Sequence, residues 1–141
     1  MLPDYSDLTI ISPTLNEEKN IIELIESLNV NFPSAQIMIV DDGSRDRTAQ
    51  LVIESAKQNP QIHFLDRQDA AVKGLSISVI DGIERTRTKY FLVIDADLQH
   101  PPAIATQLYA LAKSGVLFVA GARAPYQENQ GWHRIVITKI A

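Results

Sequence analysis

Short apolar runs that alternate with longer stretches of helical period constrain this 141-residue chain more than any other feature. Leu8-Thr9-Ile10-Ile11, Ile37-Met38-Ile39-Val40, Ile62-His63-Phe64-Leu65, Tyr90-Phe91-Leu92-Val93-Ile94 and Val116-Leu117-Phe118-Val119-Ala120 read as strands. Their near-continuous apolar character is that of strands covered on both faces. Between them, Ile21, Leu24, Ile25 and Leu28 share one helical face, as do Ala49, Val52, Ile53 and Ala56, then Leu75, Val79 and Ile83, then Ile104, Leu108 and Leu111. Strand-helix alternation with short connections gives right-handed crossovers, hence a mostly parallel sheet with helices on both faces. The fold class is α/β, Rossmann-like.

No repeat, low-complexity tract or linker interrupts the pattern, which predicts one domain over residues 1–141. From Gly131, a stripe of Trp132, Ile135, Val136 and Ile140 opposite His133, Arg134, Thr138 and Lys139 predicts a closing amphipathic helix. That pattern is still running at Ala141, so the natural domain is expected to continue.

Composition narrows the function. Thirteen Lys and Arg against 17 Asp and Glu give a net charge of −4, which argues against a broad electrostatic grip on nucleic acid. The absence of cysteine excludes a disulfide scaffold, a thiolate zinc site and a cysteine nucleophile, and fits a reducing compartment. The opening Met1-Leu2-Pro3-Asp4 is unlike a secretory signal, and no apolar stretch reaches transmembrane length. The expectation is a soluble or peripheral, cytoplasmic protein.

Ligands of open α/β sheets bind outside the carboxyl ends of the strands, so the residues just past each run carry the chemistry. After the first run, Ser12-Pro13-Thr14-Leu15-Asn16-Glu17-Glu18 is acidic and lacks glycine. It suits hydroxyls and ring N–H groups better than phosphate, or else Asn16 or Glu17 starts the next helix. After the second, Asp41-Asp42-Gly43-Ser44 places two carboxylates before a glycine turn. They either accept a nucleobase N–H or hold a metal, or they satisfy turn amides. After the fourth, Asp95, Asp97 and Gln99 alternate, and in an extended segment all three would offer hard oxygens to one divalent cation. His100 and His63 are read as turn and strand residues, not ligands. Past the fifth run, Arg123 is either a bidentate phosphate holder or an ordinary surface arginine. Arg134 and Thr138, four apart on the expected closing helix, either meet a lipid head group or simply flank a helix packed on the core.

The strings Pro13-Thr14-Leu15-Asn16-Glu17, Val40-Asp41-Asp42-Gly43-Ser44, Gly74-Leu75 and Asp95-Ala96-Asp97-Leu98-Gln99-His100-Pro101-Pro102 resemble, in that order, a family 2 glycosyltransferase of the GT-A fold. The nearest branch is the polyprenol-phosphate glycosyltransferases, which include the dolichol-phosphate mannose synthases, and the likeness covers almost the whole chain. It implies that residues 1–141 are the N-terminal part of a longer GT-A domain. It also implies that Pro13, Leu15, Glu17, Val40 and Asp42 contact base and ribose, and Asp95 and Ala96 ribose and diphosphate. Asp97 and Gln99, with Asp95 as a further candidate, would hold Mg2+ or Mn2+. Arg123, Arg134 and Thr138 would receive the phosphate of a polyprenyl phosphate, and Asp97, Arg123 and Arg134 would carry the catalysis. The chain departs from the family where Leu15 stands for the usual tyrosine, which removes an aromatic face against the base. It departs again where Ala122 and Thr138 stand for serine.

The implied reaction moves a hexose, mannose or glucose, from a GDP- or UDP-linked donor to the lipid phosphate with inversion, at the cytoplasmic face of a membrane. Alternatives are transfer to a saccharide or protein hydroxyl, which needs a carboxylate base, and a nucleotide-binding domain without activity. A phospho-accepting receiver-like domain would place its acidic pair after the first strand and a lysine after the last. A sugar nucleotidyltransferase would need a glycine-rich basic loop where Asn16-Glu17-Glu18 stands.

Overall fold

The computed structural model describes residues 3–121 and 135–139. Along the chain run β1 (Leu8–Thr14), α1 (Ile21–Asn31), β2 (Gln36–Asp41), α2 (Thr48–Gln58) and β3 (Ile62–Asp66). They are followed by α3 (Leu75–Arg85), β4 (Tyr90–Val93), α4 (Pro102–Lys113), β5 (Phe118–Gly121) and β6 (Ile135–Lys139). All seven residues of β1 are buried, as an apolar run covered on both faces requires. It lies inside a sheet of order β3-β2-β1-β4-β6-β5.

β1 pairs in parallel with both β2 and β4, and β2 with β3. The chain therefore steps outward from β1 to β3 and then crosses back to β4. The loops after β1 and β4 part at this reversal, and such a switch point opens a crevice at the carboxyl edge. The Rossmann-like α/β expectation holds. Buried residues of α1, α2 and α4, including Leu24, Leu28, Val52, Leu108 and Tyr109, join Leu8, Ile10, Ile37 and Ile39 in one core layer. On the other face Ile11, Met38, Val40 and Phe91 pack with Ile83 of α3. Among the described residues, no helix is long and apolar enough to cross a membrane.

Three expectations are corrected. The expected closing helix is instead strand β6, which pairs antiparallel with both β4 and β5. Ile135-Val136-Ile137-Thr138 is a run of four β-branched residues, and two free strand edges reward extension more than a helical stripe does. Facing residues are also shifted in three helices. Leu75, Ile53, Ile104 and Leu111 are exposed, while Ser78 and Gly82 of α3, Thr48 beside Val52 of α2, and Ala105, Tyr109 and Ala112 beside Leu108 of α4 are buried. Small residues let α3 approach the sheet closely, and Tyr109 joins an aromatic cluster with Tyr5 and Tyr90 that fixes the phase of α4. The fifth run begins as strand only at Phe118, leaving Val116 and Leu117 exposed before it.

A candidate active site at the carboxyl edge

Asp41 and Asp42 point apart because successive side chains of an extended chain face opposite ways. Asp41, 1% exposed, takes the hydroxyls of Thr14 (2.8 Å) and Ser44 (2.5 Å) on Oδ1 and the amides of Ser44 (2.8 Å) and Gly43 (3.2 Å) on Oδ2. It holds the turn. Asp42 instead lines the cavity, with Oδ1 accepting from the Arg67 guanidinium and Oδ2 from the amide of Gly74 at 2.7 Å. The alternative left open by the sequence is thus divided between the two residues.

The loops after β1 and β2 lock together. Asn16 stands in the left-handed region (φ 56°), which asparagine tolerates better than most residues. Its amide donates to Ser44 Oγ and its Oδ1 accepts from the Arg45 amide, each at 2.8 Å. The Glu17 amide donates to Thr48 Oγ1 (2.8 Å), the Glu18 amide to Asp46 Oδ2 (3.1 Å), and Glu18 Oε2 accepts from the Arg47 amide (3.1 Å). Burial pushes the Asp46 carboxyl up, but the Thr48 hydroxyl and the Thr48 and Glu18 amides outweigh it and leave the group below its ordinary value. Neither Asn16 nor Glu17 begins a helix: α1 starts at Ile21, whose amide bonds the Glu17 carbonyl at 2.9 Å.

After β4 the chain turns. Leu98 has φ 60°, and the Gln99 amide donates back to Asp97 Oδ1 at 3.1 Å. The segment is therefore not extended, because an Asp side chain that captures the amide two residues on favours a turn over a strand. Asp95 and Asp97 line the cavity, whereas Gln99 is exposed outside the lining.

The cavity, about 340 Å³, is lined by Pro13, Thr14, Leu15, Glu17, Asp42, Gly74, Leu75, Ser78, Asp95, Ala96 and Asp97. Of the residues expected at base, ribose and diphosphate, Pro13, Leu15, Glu17, Asp42, Asp95 and Ala96 are thus brought together. Val40 is fully buried, packed with Ile11, Met38 and Phe91, and does not line the cavity. Thr138 lies on β6, paired with Phe91 and Phe118, and not on a helix. Arg123 and Arg134 lie outside the described residues. Glu17, Asp42, Asp95 and Asp97 bring four carboxylates to the lining, and carboxylate oxygens are the hard donors that divalent cations such as Mg2+ or Mn2+ take.

Sequence reasoning missed Arg67 and Ser78. Arg67, 5% exposed, donates from Nη1 to Asp42 Oδ1 and to Ser78 Oγ (2.9 Å), from Nε to Asp81 Oδ2 (2.6 Å), and from Nη2 to the Val72 carbonyl (2.7 Å). No periodicity marks an isolated arginine after a strand. The spacing of Gly74, just ahead of α3, and Ser78 in its first turn, four apart, was the available signal.

Comparisons with known proteins agree with this geometry. The family model for glycosyl transferase family 2 matches residues 9–138. The dolichol-phosphate mannosyltransferase of Pyrococcus furiosus is 34% identical over 95% of this chain and 39% of its own length. An undecaprenyl-phosphate 4-deoxy-4-formamido-L-arabinose transferase of Pectobacterium atrosepticum is 30% identical over 92% of this chain and 40% of its own. The chain thus spans about two fifths of the length of these curated relatives. A mannosyltransferase of Pyrobaculum calidifontis, solved with GDP-Man and Mn2+, superposes with a TM-score of 0.66 at 19% identity, over 88% of this chain and 39% of that one. That likeness shows the GT-A fold. With the family model running from β1 into β6 and the motif-bearing strand ends gathered around one cavity, the chain belongs to glycosyl transferase family 2.

Proposed function

We propose that this chain carries the donor site of an inverting glycosyltransferase that moves a hexose, mannose or glucose, from a GDP- or UDP-sugar to a polyprenyl phosphate at the cytoplasmic face of a membrane. The observation that carries the reading is the placement of Asp42, Asp95 and Asp97 on one cavity at the switch point of the sheet. The polyprenol-phosphate acceptors of the curated relatives support the acceptor class.

In this reading Asp42 accepts ring N–H groups of the base, while Pro13 and Leu15 give it an apolar wall and Glu17 takes ribose hydroxyls. Val40, with its side chain packed under α3, offers the ligand only main-chain atoms. Asp95 and Ala96 lie against ribose and diphosphate. Asp95 and Asp97 fit Mg2+ or Mn2+ as hard oxygen donors, and Gln99 is close enough in sequence to join them. A bound divalent cation supplies Lewis-acid neutralisation of the charge that develops on the departing diphosphate. Arg123, Arg134 and Thr138 hold the acceptor phosphate. An oxygen of that phosphate attacks the anomeric carbon, the bond to the diphosphate breaks, and the configuration inverts. A phosphate monoester is already anionic near neutrality, so the nucleophile needs positioning by arginine more than deprotonation.

Calorimetric titration of GDP, UDP and their hexose conjugates, with and without manganese, tests the reading. The expected result is manganese-dependent binding of one nucleotide, weakened at least about tenfold by Asp97→Ala. Failure of the wild type to bind any of them, or binding indifferent to Asp97→Ala, overturns it.

A further inference from the structure

Arg67 does not line the cavity, yet its guanidinium is the most fully engaged cation among the described residues. Every one of its nitrogens has a partner: Asp42 and Ser78 at Nη1, Asp81 at Nε, and the Val72 carbonyl at Nη2. Its own amide is tied to the Asp41 carbonyl at 2.8 Å, which fixes the side chain's origin to the end of β2. Burying a guanidinium is costly unless charge and hydrogen bonds compensate, and here two carboxylates do so. They are unequal. The Asp81 side chain is 36% exposed on α3, whereas that of Asp42 is 10% exposed and faces the cavity. With Oδ1 on Arg67 and Oδ2 on the Gly74 amide, Asp42 has both oxygens anchored and cannot rotate, while each oxygen keeps acceptor capacity for a ligand.

Resting on the donor-site reading above, we propose that Arg67 is a positioning residue for nucleobase recognition. It presents the Asp42 carboxylate in one fixed orientation to the N–H edge of the base, and through Ser78 and Asp81 it makes that orientation depend on the seating of α3. Preorganised acceptors of this kind lose effectiveness with small displacements. Lysine at the same position keeps the charge but not the planar fork that spans Asp42, Ser78 and Asp81.

The test measures dissociation constants of GDP, UDP and inorganic pyrophosphate, each with manganese, for the full chain and for Arg67→Lys, Asp42→Asn and the double variant. The expected result is that Arg67→Lys weakens the preferred nucleotide at least about tenfold and pyrophosphate less than about twofold. In the Asp42→Asn background the same change costs less than about twofold, because the group it positions is gone. Equal losses for nucleotide and pyrophosphate, or the same loss in both backgrounds, overturn the proposal and leave Arg67 a purely structural ion pair. If Arg67→Lys does not fold, Asp81→Ala releases Nε while keeping the Asp42 bond. A loss confined to nucleotide then supports the proposal, and no loss or an equal loss overturns it. A wild type that binds neither nucleotide removes the donor-site reading and this inference with it, a failure seen before any variant is made.

Discussion

Gly82 faces the sheet so closely that an added Cβ would lie 2.7 Å from Ile11 Cγ2 and 3.1 Å from Val40 Cγ2. Helix propensity favours alanine there by about 1 kcal/mol, but both neighbouring atoms are methyls on stiff β-branched side chains, and overpacking costs about 1–3 kcal/mol. Gly82→Ala is therefore expected to destabilise by about 1 kcal/mol, read as a lower urea midpoint. Asp41→Asn should cost more, about 2 kcal/mol, because an amide replaces one acceptor oxygen with a donor among four groups that all donate. Urea denaturation of Asp41→Asn beside the wild type checks it. The two adjacent aspartates were visible in the sequence as a cluster, but their division of labour was not. It depends on which way β2 faces, which is settled by Ile37 and Ile39 packing under α1 while Met38 and Val40 pack under α3. Arg67 was harder still, since its partners Asp42, Ser78 and Asp81 lie in the loop after β2 and on α3.

At the scale of elements, the start of β1 is tied to α4 by Asp7, which accepts from the Tyr109 hydroxyl and from Lys113 Nζ at 2.7 Å. Burial pushes the Asp7 carboxyl up, but the Lys113 and Tyr109 hydrogen bonds outweigh it and leave the carboxyl below its ordinary 3.8. A carboxyl lowered by folding contributes stability at pH values above its unfolded value and loses it as pH falls through the folded one. The stability advantage of the wild type over Asp7→Asn should therefore be constant from neutrality down to about pH 5 and shrink below about pH 4. Urea denaturation across that range reads it, and an advantage that grows in acid would contradict the tie. Short apolar runs closed by turn or breaker residues were legible, as β1, ended by Ser12-Pro13, and β2, ended by Asp41-Asp42-Gly43, show. β6 was not, because Trp132, Ile135, Val136 and Ile140 fit a helical period as well as a strand, and only the open edges of β4 and β5 decide between them. The phase of α3 was hidden for a related reason: its sheet-facing positions are Ser78 and Gly82, which a hydrophobic pattern does not mark.

For the whole molecule, β1 is the strand whose loss dismantles everything else, being flanked by parallel partners and buried throughout. Its amides are expected to exchange with solvent most slowly, through global unfolding, while those of β3 at the sheet edge, where His63 and Asp66 are exposed, exchange faster through local opening. Hydrogen-exchange mass spectrometry reads the order, and equal protection in β1 and β3 would contradict it. The location of the site was legible at this scale because parallel strands deliver their carboxyl ends to one edge whatever the details of each loop. The two faces of that sheet are not equivalent. Leu75 and Ser78 of α3 line the cavity, Gly74 just ahead of it does too, and Gly82 of the same helix sets how closely it packs. For directed evolution this makes the faces unequal ground. In the layer under α1, α2 and α4 only Ala96 also lines the cavity, so variation elsewhere in that layer tunes robustness, whereas variation in α3 changes robustness and ligand preference in the same clone, and the two traits cannot be selected independently from that helix.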